Sequence, residues 1–308
     1  MQGKQVTIFG GSGFIGRSLV QRFAREGAII RVPVRNPDHA LFLKTMGHVG
    51  QITLLKINPY NKQEIEACCA DSEIVINLIG ILYEKGSSTF KRIHIDLAET
   101  IAKSAAQKGV KRLLHMSALS AEPTSKSVYA ITKSQGEQAV LKAYPQATIF
   151  RPSLVFGPHD HFFNRFSEIS RFSPVLPLIG SGKIRLQPAY VEDVVEAMMT
   201  AAKQPESQGK IYELGGPKIY SFKELFEFML KIIHLNRLLL PLPYLIAKII
   251  GFFGEFLPTP PLTRDQVKLL EKDNILNKGS LTFRDLGIVP SALESILPRY
   301  LSRYKIKI

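Results

Sequence analysis

A glycine-rich turn near the start of the sequence constrains the fold more than any other feature. The β-branched and aromatic residues 6–9 lead into Gly10-Gly-Ser-Gly-Phe-Ile-Gly16. The apolar positions that follow recur at the spacing of one helical face, at Ile15, Leu19, Val20 and Phe23. This pattern predicts a strand, a tight turn and a helix, in which the glycines let the backbone approach a pyrophosphate and the first helix amides face its charge. The turn therefore predicts a dinucleotide site.

The same turn also resembles a second phosphate-binding pattern. Residues 11–18 read G-x-x-x-x-G-R-S, one residue away from the phosphate-binding loop of the nucleoside triphosphatases. That loop requires a lysine where this chain has Arg17, and it lacks the three-residue glycine rhythm. The dinucleotide interpretation is therefore favoured, and it predicts cofactor contacts along the turn at Gly10, Ser12, Gly13, Phe14, Ile15 and Gly16.

The end of the second predicted strand bears on the choice of cofactor. Residues 28–35 are typical of a strand, and proteins that hold NAD usually carry an acidic residue at its end to bind the ribose 2′-hydroxyl. This chain has Arg35 there. Because a guanidinium suits a 2′-phosphate, the sequence favours NADP(H) over NAD(H). In the alternative, Arg35 is a solvated charge and Asp38 binds the ribose.

Composition and charge narrow the class of protein. With 308 residues, 45% of them hydrophobic, the chain is long enough for a large α/β domain and a smaller lobe. Cys68 and Cys69 are adjacent, which suits neither a disulfide framework nor a metal site, so we predict core packing for both and no bound metal. The net charge of +14 indicates an acidic partner or an anionic lipid surface. The sequence lacks the interleaved basic and aromatic residues that bind single-stranded nucleic acid, so we expect no nucleic-acid partner.

Apolar strands alternate with helical segments along the first half of the chain. After the first two strands, the pattern predicts strands at residues 51–57, 73–80 and 110–117 and helices at 62–70 and 89–108. This order predicts an α/β fold, a Rossmann-type doubly wound parallel sheet with a smaller C-terminal lobe. We expect residues 1–157 to form the NAD(P)-binding domain, with further strands from about 184–216, and residues 158–308 to form mainly a substrate or docking lobe.

The strand at residues 73–80 ends in a second group of predicted contacts. Ligands of doubly wound sheets bind outside the carboxyl ends of the strands, so we predict that Leu78 and Gly80 contact the cofactor. Asn77, beside them, is either a neighbour of the ligand or a cap of the strand.

A possible catalytic group lies further along the chain. Tyr129 and Lys133 are four residues apart at the start of a predicted helix, so both point from one face. An ammonium beside the phenol would lower the pKa of Tyr129 toward neutral pH, which would suit proton transfer while a nicotinamide moves hydride. Ser117, at the end of the preceding strand, could orient the same substrate oxygen, and Ser120 is its alternative.

The order of these motifs resembles the extended short-chain dehydrogenase/reductase superfamily. The segments that carry this resemblance are the glycine turn, the Ser, Tyr and Lys group, residues 150–158 and residues 190–195. The resemblance implies that the strand at 150–158 closes over the nicotinamide, with cofactor contacts at Pro152 and Val155 besides those of Tyr129 and Lys133.

Within that superfamily, several blocks are similar to atypical members related to the nucleotide-binding accessory subunit of respiratory complex I. They include residues 10–16, 77–81, 115–119, 151–158, 162–166, 174–180, 187–191, 212–217 and 261–267. This resemblance implies a tightly held NADP(H) with a mainly structural role, and complex I subunits or a membrane surface as partners. No targeting segment precedes the first predicted strand, so we expect a cytoplasmic protein, peripheral at the inner face of a bacterial plasma membrane.

One departure weakens the case for catalysis. Extended members that catalyse commonly carry an active-site asparagine on the helix before the serine strand, and this chain offers His94 and Asp96 there. The alternative function is an active NAD(P)-dependent reductase or epimerase that acts on a carbonyl, sugar-nucleotide or quinone-related substrate.

The segment at residues 238–257 is strongly apolar. Pro241, Pro243, Lys248 and Glu255 interrupt it, and a spanning helix needs about twenty mainly apolar residues, so we predict no transmembrane helix. The segment is then either the core of the smaller lobe or a docking face for a partner or a membrane surface.

Overall fold

A parallel sheet of seven strands forms the centre of the computed structural model, which describes residues 1–305. The strands in chain order are β1 (Gln5–Phe9), β2 (Ile29–Val34), β3 (Ile52–Lys56), β4 (Ile74–Asn77), β5 (Arg112–Met116), β6 (Thr148–Pro152), β7 (Val155–Phe156), β8 (Val175–Ile179), β9 (Arg185–Leu186), β10 (Ala189–Tyr190), β11 (Ile211–Leu214), β12 (Tyr220–Ser221) and β13 (Leu238–Leu242). The central sheet has the order β11-β6-β5-β4-β1-β2-β3, and all its neighbours run parallel.

Helices connect these strands and form the smaller lobe. The α-helices are α1 (Phe14–Arg25), α2 (Lys62–Cys69), α3 (Leu97–Gln107), α4 (Val128–Ala143), α5 (Phe163–Phe172), α6 (Val191–Lys203), α7 (Phe222–Ile233), α8 (Tyr244–Gly254), α9 (Arg264–Leu269) and α10 (Leu293–Leu301). Short 3₁₀ helices lie at Asp38–Met46, Gly180–Gly182, Pro205–Ser207, Phe283–Leu286 and Ser302–Tyr304, and a π-helix at Lys91–Asp96 leads into α3. The predicted α/β doubly wound fold is thereby confirmed.

The strand order reverses direction between β1 and β4. Chain connections run outward from β1 to β2 and β3 on one side and from β4 to β5 and β6 on the other. In such sheets the crevice at the reversal, outside the carboxyl ends of the strands, is where a ligand binds. The glycine turn that follows β1 lies at this crevice.

Two apolar layers cover the sheet. One joins α1 and α6 to the strands, with Phe23 and Met198 fully buried in it. The other joins α2, α3 and α4, and it holds Cys68 and Cys69, as the sequence predicted. Burial raises the pKa of the Cys68 thiol to about 11 and that of Cys69 to about 12, so both are unreactive packing residues.

A separate apolar core forms the smaller lobe. It joins α5, α7 and α10, with Phe226 and Leu297 completely buried. Within the stretch 184–216, β11 joins the central sheet at its edge, whereas β9 pairs with β12 and β10 pairs with β7. A parallel pair of β8 and β13 then leads into α8.

Helix length bears on the apolar segment at 238–257. That segment divides into β13 and α8, and α8 covers only Tyr244–Gly254. Within residues 1–305, none of the helices is both long enough and apolar enough to cross a membrane.

Candidate functional site

The glycine turn places backbone close to backbone at the carboxyl end of β1. Gly10 has a φ of +79°, and a Cβ on it would lie 3.1 Å from the backbone carbonyl carbon of Leu78. A Cβ on Gly16 would overlap the carbonyl oxygen of Gly10 and lie 2.7 Å from Gly11. Larger residues would therefore separate α1 from the sheet.

The first turn of α1 leaves amide groups available to an anion. Gly13 precedes the helix with extended backbone, and within residues 1–305 no side chain caps it. The first N–H groups of a helix have no partner inside it and carry partial positive charge. A phosphate at this position would therefore meet donors that the protein itself does not satisfy.

A cavity of about 750 Å³ opens beside this turn. The residues that line it come from the turn, from the ends of β2, β3 and β4, and from the segments that follow them: Gly10, Ser12, Gly13, Arg17, Pro33, Val34, Arg35, Asn36, His39, Phe42, Ile57, Pro59, Tyr60, Leu78, Ile79, Gly80, Ile81, Ser88, Ile93 and Leu97. Its position and volume suit the adenosine half of a dinucleotide.

Two guanidinium groups make one corner of the cavity basic. Arg35 follows β2, and Arg17 lies in the first turn of α1 with its guanidinium carbon 4.9 Å from the centre of the Phe42 ring. The Nε of Arg17 is buried and, among the described residues, has no hydrogen-bond partner. A donor buried without a partner is costly, and an anionic ligand in this corner would satisfy it.

The alternative ribose ligand takes a different place. The backbone N–H of Asp38 donates to the side-chain oxygen of Asn36 at 3.0 Å, and Asp38 begins the 3₁₀ helix that leads away from β2. As far as residues 1–305 show, no carboxylate is among the groups that line the cavity. The basic corner therefore has Arg35 at the end of β2, where an NAD site has an acid, and Arg17 lines the same cavity.

The ammonium group of Lys133, which belongs to α4, and the side chain of Ser117 lie at the carboxyl ends of β4 and β5. The Lys133 ammonium donates to the carbonyl oxygen of Met116 at 3.2 Å, and a Cβ on Gly80 would lie 3.1 Å from its Nζ. Burial lowers the pKa of Lys133 to about 8. The Ser117 hydroxyl is buried, and across the described part of the chain it lacks a hydrogen-bond partner. This unsatisfied hydroxyl fits a polar ligand at the strand ends.

The expected effect of Lys133 on Tyr129 was wrong. Burial raises the pKa of Tyr129 to about 12 instead of lowering it toward neutral pH. The Tyr129 ring packs edge-on against the rings of His94, at 5.3 Å between centres, and Phe90, at 6.0 Å. These apolar and neutral neighbours favour the uncharged phenol, so the hydroxyl is a hydrogen-bond donor at neutral pH.

His94 is held as a neutral packing residue. Its Nε2 accepts a hydrogen bond from the backbone N–H of Ile81 at 3.2 Å, so its proton resides on Nδ1, which lies 3.0 Å from the Thr132 hydroxyl. Burial, and then the charge of Lys133, lower the pKa of His94 to about 2. Both ring nitrogens are used, which excludes His94 as a proton carrier near neutral pH.

Asn77 caps the end of its strand. Its side-chain oxygen accepts from the N–H of Ile79 at 3.0 Å, and its amide group donates toward Nδ1 of His115 at 3.2 Å. Burial lowers the pKa of His115 to about 3. The cap fixes the turn that carries Leu78 and Gly80 into the crevice.

A buried ion-pair network holds α4 against the sheet. Arg151, at the end of β6, binds Glu137 of α4 through two nitrogens and lies 3.7 Å from Glu213 of β11. Glu213 in turn accepts two hydrogen bonds from Asn277 at 2.8 Å. Because Glu137 stands one turn after Lys133, this network orients the helix that presents Lys133 and Tyr129.

The structure distributes the predicted contacts over several places. Six of them line the cavity: Gly10, Ser12, Gly13, Arg35, Leu78 and Gly80. Ser117, Tyr129 and Lys133 lie at the neighbouring strand ends. Ile15 and Val155 pack against the main core. Pro152 is buried at the end of β6, and the Phe14 ring approaches Gly157. Their roles in binding or catalysis stay predictions.

The sequence interpretation missed Arg17 and Phe42 as parts of the cavity. In the sequence, Arg17 stands out only as a replacement for the lysine of a triphosphatase loop. Its position one residue after the last glycine, in the first helical turn, was the signal that could have assigned it to an anion. Phe42 lies in a 3₁₀ helix whose placement over the turn depends on tertiary packing. In residues 1–305 no cluster of His, Cys, Asp or Glu is suited to a metal ion.

These features fit a nicotinamide dinucleotide. The turn admits a close backbone approach, α1 presents free amides, Arg17 presents an unsatisfied donor, and Ser117 presents an unsatisfied hydroxyl at the far end of the crevice. Such a cofactor supplies hydride chemistry when a substrate oxygen is correctly placed.

Comparison with known proteins agrees with this geometry. Residues 6–215 match the family described as "NAD dependent epimerase/dehydratase family". Mitochondrial NADH dehydrogenase [ubiquinone] 1 alpha subcomplex subunit 9 of Arabidopsis thaliana is 36% identical over 317 residues, covering 99% of this chain and 79% of that protein. The mitochondrial NADH-ubiquinone oxidoreductase 40 kDa subunit of Neurospora crassa is 31% identical over 305 residues, covering 98% and 80%.

A solved structure shares the fold. DesIV, a dTDP-glucose 4,6-dehydratase from Streptomyces venezuelae described with NAD and TYD bound, superposes with a TM-score of 0.75 at 17% identity, covering 97% of this chain and 96% of that one. The matched family implies that a nicotinamide cofactor binds at the crevice. The chain therefore belongs to the NAD dependent epimerase/dehydratase family and is a relative of the subunit 9 proteins of NADH dehydrogenase.

Proposed function

We propose that this protein is an accessory or assembly subunit of respiratory complex I that holds NADP(H) mainly as a structural element. The observation that carries the proposal is the 36% identity to a complex I subunit over 99% of the chain. The closed environment of His94, whose two ring nitrogens are bonded inside the protein, supports a structural cofactor over a proton relay.

The basic corner of the cavity supports NADP(H) over NAD(H). Arg17 and Arg35 supply two guanidinium groups where a 2′-phosphate would lie, and the buried Nε of Arg17 gains a partner from such a group. The glycine turn then holds the pyrophosphate, with Phe14 and Ile15 opening α1 beneath it. Leu78, Gly80, Pro152 and Val155 surround the remainder of the cofactor.

Ser117, Tyr129 and Lys133 have a binding role in this proposal. The Lys133 ammonium and the two hydroxyl groups lie at the nicotinamide end of the crevice, where they would hydrogen-bond the ribose and retain the cofactor. Residues 1–157 together with β11 hold the nucleotide, and residues 158–308 provide mainly the docking lobe. The location that suits this function is the inner face of a bacterial plasma membrane, with the protein attached at the periphery.

Gene deletion with complementation tests the proposal. Loss of the protein should lower the amount of assembled complex I, and the wild-type gene should restore it. Tyr129→Phe removes one hydrogen bond to the ribose and leaves those of Ser117 and Lys133, so it should still restore assembly, because a structural cofactor does not need the phenol to transfer a proton. Normal assembly and activity of complex I in the deletion strain would contradict the proposal.

A second candidate is an active NAD(P)-dependent reductase or epimerase on a carbonyl, sugar-nucleotide or quinone-related substrate. The unsatisfied Ser117 hydroxyl beside Lys133 favours it, because such a group could bind a substrate oxygen instead of the ribose. Tyr129→Phe would then abolish turnover of the substrate while the bound nucleotide is retained. Turnover that survives this substitution would exclude proton transfer by Tyr129.

A further inference from the structure

Helix α8 packs on the protein through its smallest residues. Its buried positions are Ala247, Gly251 and Gly254, spaced along one helical face. A Cβ on Gly251 would lie 2.8 Å from the backbone nitrogen of Arg264, and one on Gly254 would lie 2.8 Å from the carbonyl oxygen of Leu262. Close backbone contact on this side turns the large aliphatic and phenyl side chains of the helix outward.

The outward face consists of hydrocarbon side chains, and Glu255, exposed at its end, is paired with Arg264 at 2.8 Å. On α8 and the residues directly after it, the exposed large side chains are Leu245, Ile246, Ile249, Ile250, Phe252, Phe253, Phe256 and Leu257, with Leu245 73%, Phe253 66% and Phe256 76% exposed. We call this set the α8 face. An ordinary surface helix does the reverse and buries its large apolar side chains. Contiguous exposed hydrocarbon of this kind marks an interaction site.

The polar groups of α8 point back into the protein. The Lys248 ammonium pairs with Glu271 at 2.6 Å, and the Tyr244 hydroxyl donates to the carbonyl oxygen of Leu270 at 2.9 Å. The α8 face thus offers a partner no side-chain hydrogen bond in the part of the chain that the structure describes. Protein interfaces carry about one hydrogen bond per 100–200 Å² and favour Tyr and Arg anchors, and no Tyr or Arg is a member of this face. The guanidinium beside it, that of Arg264 at 5.0 Å from the centre of the Phe252 ring, is already paired with Glu255 at 2.8 Å.

Length and charge complete the case for a lipid surface. The 11 residues of α8 extend about 16 Å, half of the roughly 30 Å hydrocarbon core, so the helix suits the plane of the interface and not a crossing. The chain carries 40 Lys and Arg against 26 Asp and Glu, and its net charge of +14 draws it toward anionic headgroups. We infer that the α8 face inserts into the interfacial region of an anionic lipid bilayer.

This inference deepens the proposed peripheral location and rests on it for its biological setting. The test uses the purified full-length chain and vesicles of phosphatidylcholine with or without phosphatidylglycerol. The wild type should float with the vesicles, more strongly when phosphatidylglycerol is present and at low salt. The double variant Leu245→Glu, Phe253→Glu should bind at least about tenfold more weakly, because it places two charges in the hydrocarbon boundary.

A matched control separates the α8 face from general surface hydrophobicity. Val49 and Val289 are also strongly exposed, at 108% and 89%, but lie outside this face. The double variant Val49→Glu, Val289→Glu should bind vesicles nearly as well as the wild type. Equal loss in both double variants would overturn the inference.

Fluorescence keeps the test informative if the charged variant misfolds. The chain contains no tryptophan, so Phe253→Trp introduces a single probe at a position that already bears an exposed aromatic ring. Its emission should shift to shorter wavelength when anionic vesicles are added, whereas that of Val49→Trp should not. No shift at Phe253→Trp, or self-association of the chain through the α8 face in place of vesicle binding, would overturn the inference.

The vesicle experiment contains no complex I, so the two proposals can fail separately. If vesicles do not bind but the native chain still travels with complex I, only the lipid inference is wrong. If the charged α8 variant then also leaves the complex, the face docks on a protein subunit instead.

Discussion

The carboxylate of Asp265 accepts a hydrogen bond from the Ser127 hydroxyl, with 2.7 Å between Oδ2 and Oγ. The same carboxylate accepts from the backbone N–H of Val128 at 2.7 Å and of Tyr129 at 3.0 Å. A residue of the smaller lobe thus satisfies the first free amides of α4, the helix that presents Tyr129 and Lys133. Because α9 packs against α8, this contact links the α8 face to the nucleotide site.

Removing this carboxylate should destabilise the protein. Asp265→Ala leaves two helix amides without their charged acceptor, so we expect the free energy of unfolding to fall by about 2 kcal/mol, and Asp265→Asn to cost about half of that. Urea unfolding measures both. Glu99→Ala, which removes an exposed pair with Lys103, should change stability by less than about 0.5 kcal/mol. Equal effects of Asp265→Ala and Glu99→Ala would refute the role of the cap.

The basic corner should determine the preference for the 2′-phosphate. Arg17→Met or Arg35→Ala removes one charge-assisted contact, so affinity for NADPH should fall about ten- to hundredfold while affinity for NADH changes little. Calorimetric titration of the apoprotein measures both. Arg25→Ala, which removes an exposed charge at the end of α1, serves as the control for net charge. A parallel loss of NADPH and NADH affinity would show that the corner does not recognise the phosphate.

The unsatisfied hydroxyl of Ser117 should cost stability and serve binding. Ser117→Ala removes a buried group without a partner among residues 1–305, so the apoprotein should keep its stability or gain up to about 1 kcal/mol, while nucleotide affinity falls about three- to tenfold. Ser167 in α5 is an equally buried hydroxyl that no described group satisfies. Ser167→Ala should therefore shift stability in the same direction and leave nucleotide affinity unchanged.

Buried neutral histidines should make the protein sensitive to acid. The pKa of His94 is about 2 in the folded chain against 6.5 for an ordinary histidine, so below pH 6.5 the unfolded state binds one more proton than the folded state at this residue. The contribution of the neutral His94 ring to the free energy of unfolding is complete above pH 6.5. That free energy falls by about 1.4 kcal/mol for each pH unit below this value. His115 acts in the same direction.

The variant His94→Gln isolates this effect, because an amide can still accept from Ile81 but does not titrate. Its stability at pH 8 should be lower than that of the wild type. Between pH 6.5 and pH 5, however, its stability should fall less steeply with pH. The difference in slope should be about 1.4 kcal/mol per pH unit, which corresponds to one proton. Urea unfolding across this range gives both slopes, and identical slopes would mean that His94 is not the responsible group.

Local pattern was sufficient for the fold and for placing several of the predicted contacts along the cavity. The positions of Gly10, Gly13 and Gly80 depend on their neighbours in the chain and on the sheet topology. Both can be read from the periodicity of the sequence. The ionisation of Tyr129 did not follow from its spacing to Lys133, because the rings that surround it come from Phe90 and from His94 in the π-helix at Lys91–Asp96. Burial set by distant residues therefore outweighed the nearby charge.

The apolar segment at 238–257 shows a second limit. A run of Leu, Ile and Phe predicts burial, and its composition does not tell which face of the helix meets the protein. The small residues of α8 determine this: Gly251 permits the close approach of the chain at Thr263 and Arg264, and Ala247 packs in a buried cluster with Ile179 and Val267. Only the tertiary structure shows that the large side chains of α8 face outward.

The most direct test of the central claim is the migration of the native chain from gently solubilised membranes, with the nucleotide identified in the same fraction. Membrane extracts are separated by size, and each fraction is assayed for this protein, for complex I and for extracted nucleotide. The account predicts that the chain travels with complex I and releases NADP(H). A chain found only as a free protein, or one that carries no NADP(H) when it travels with the complex, would contradict it.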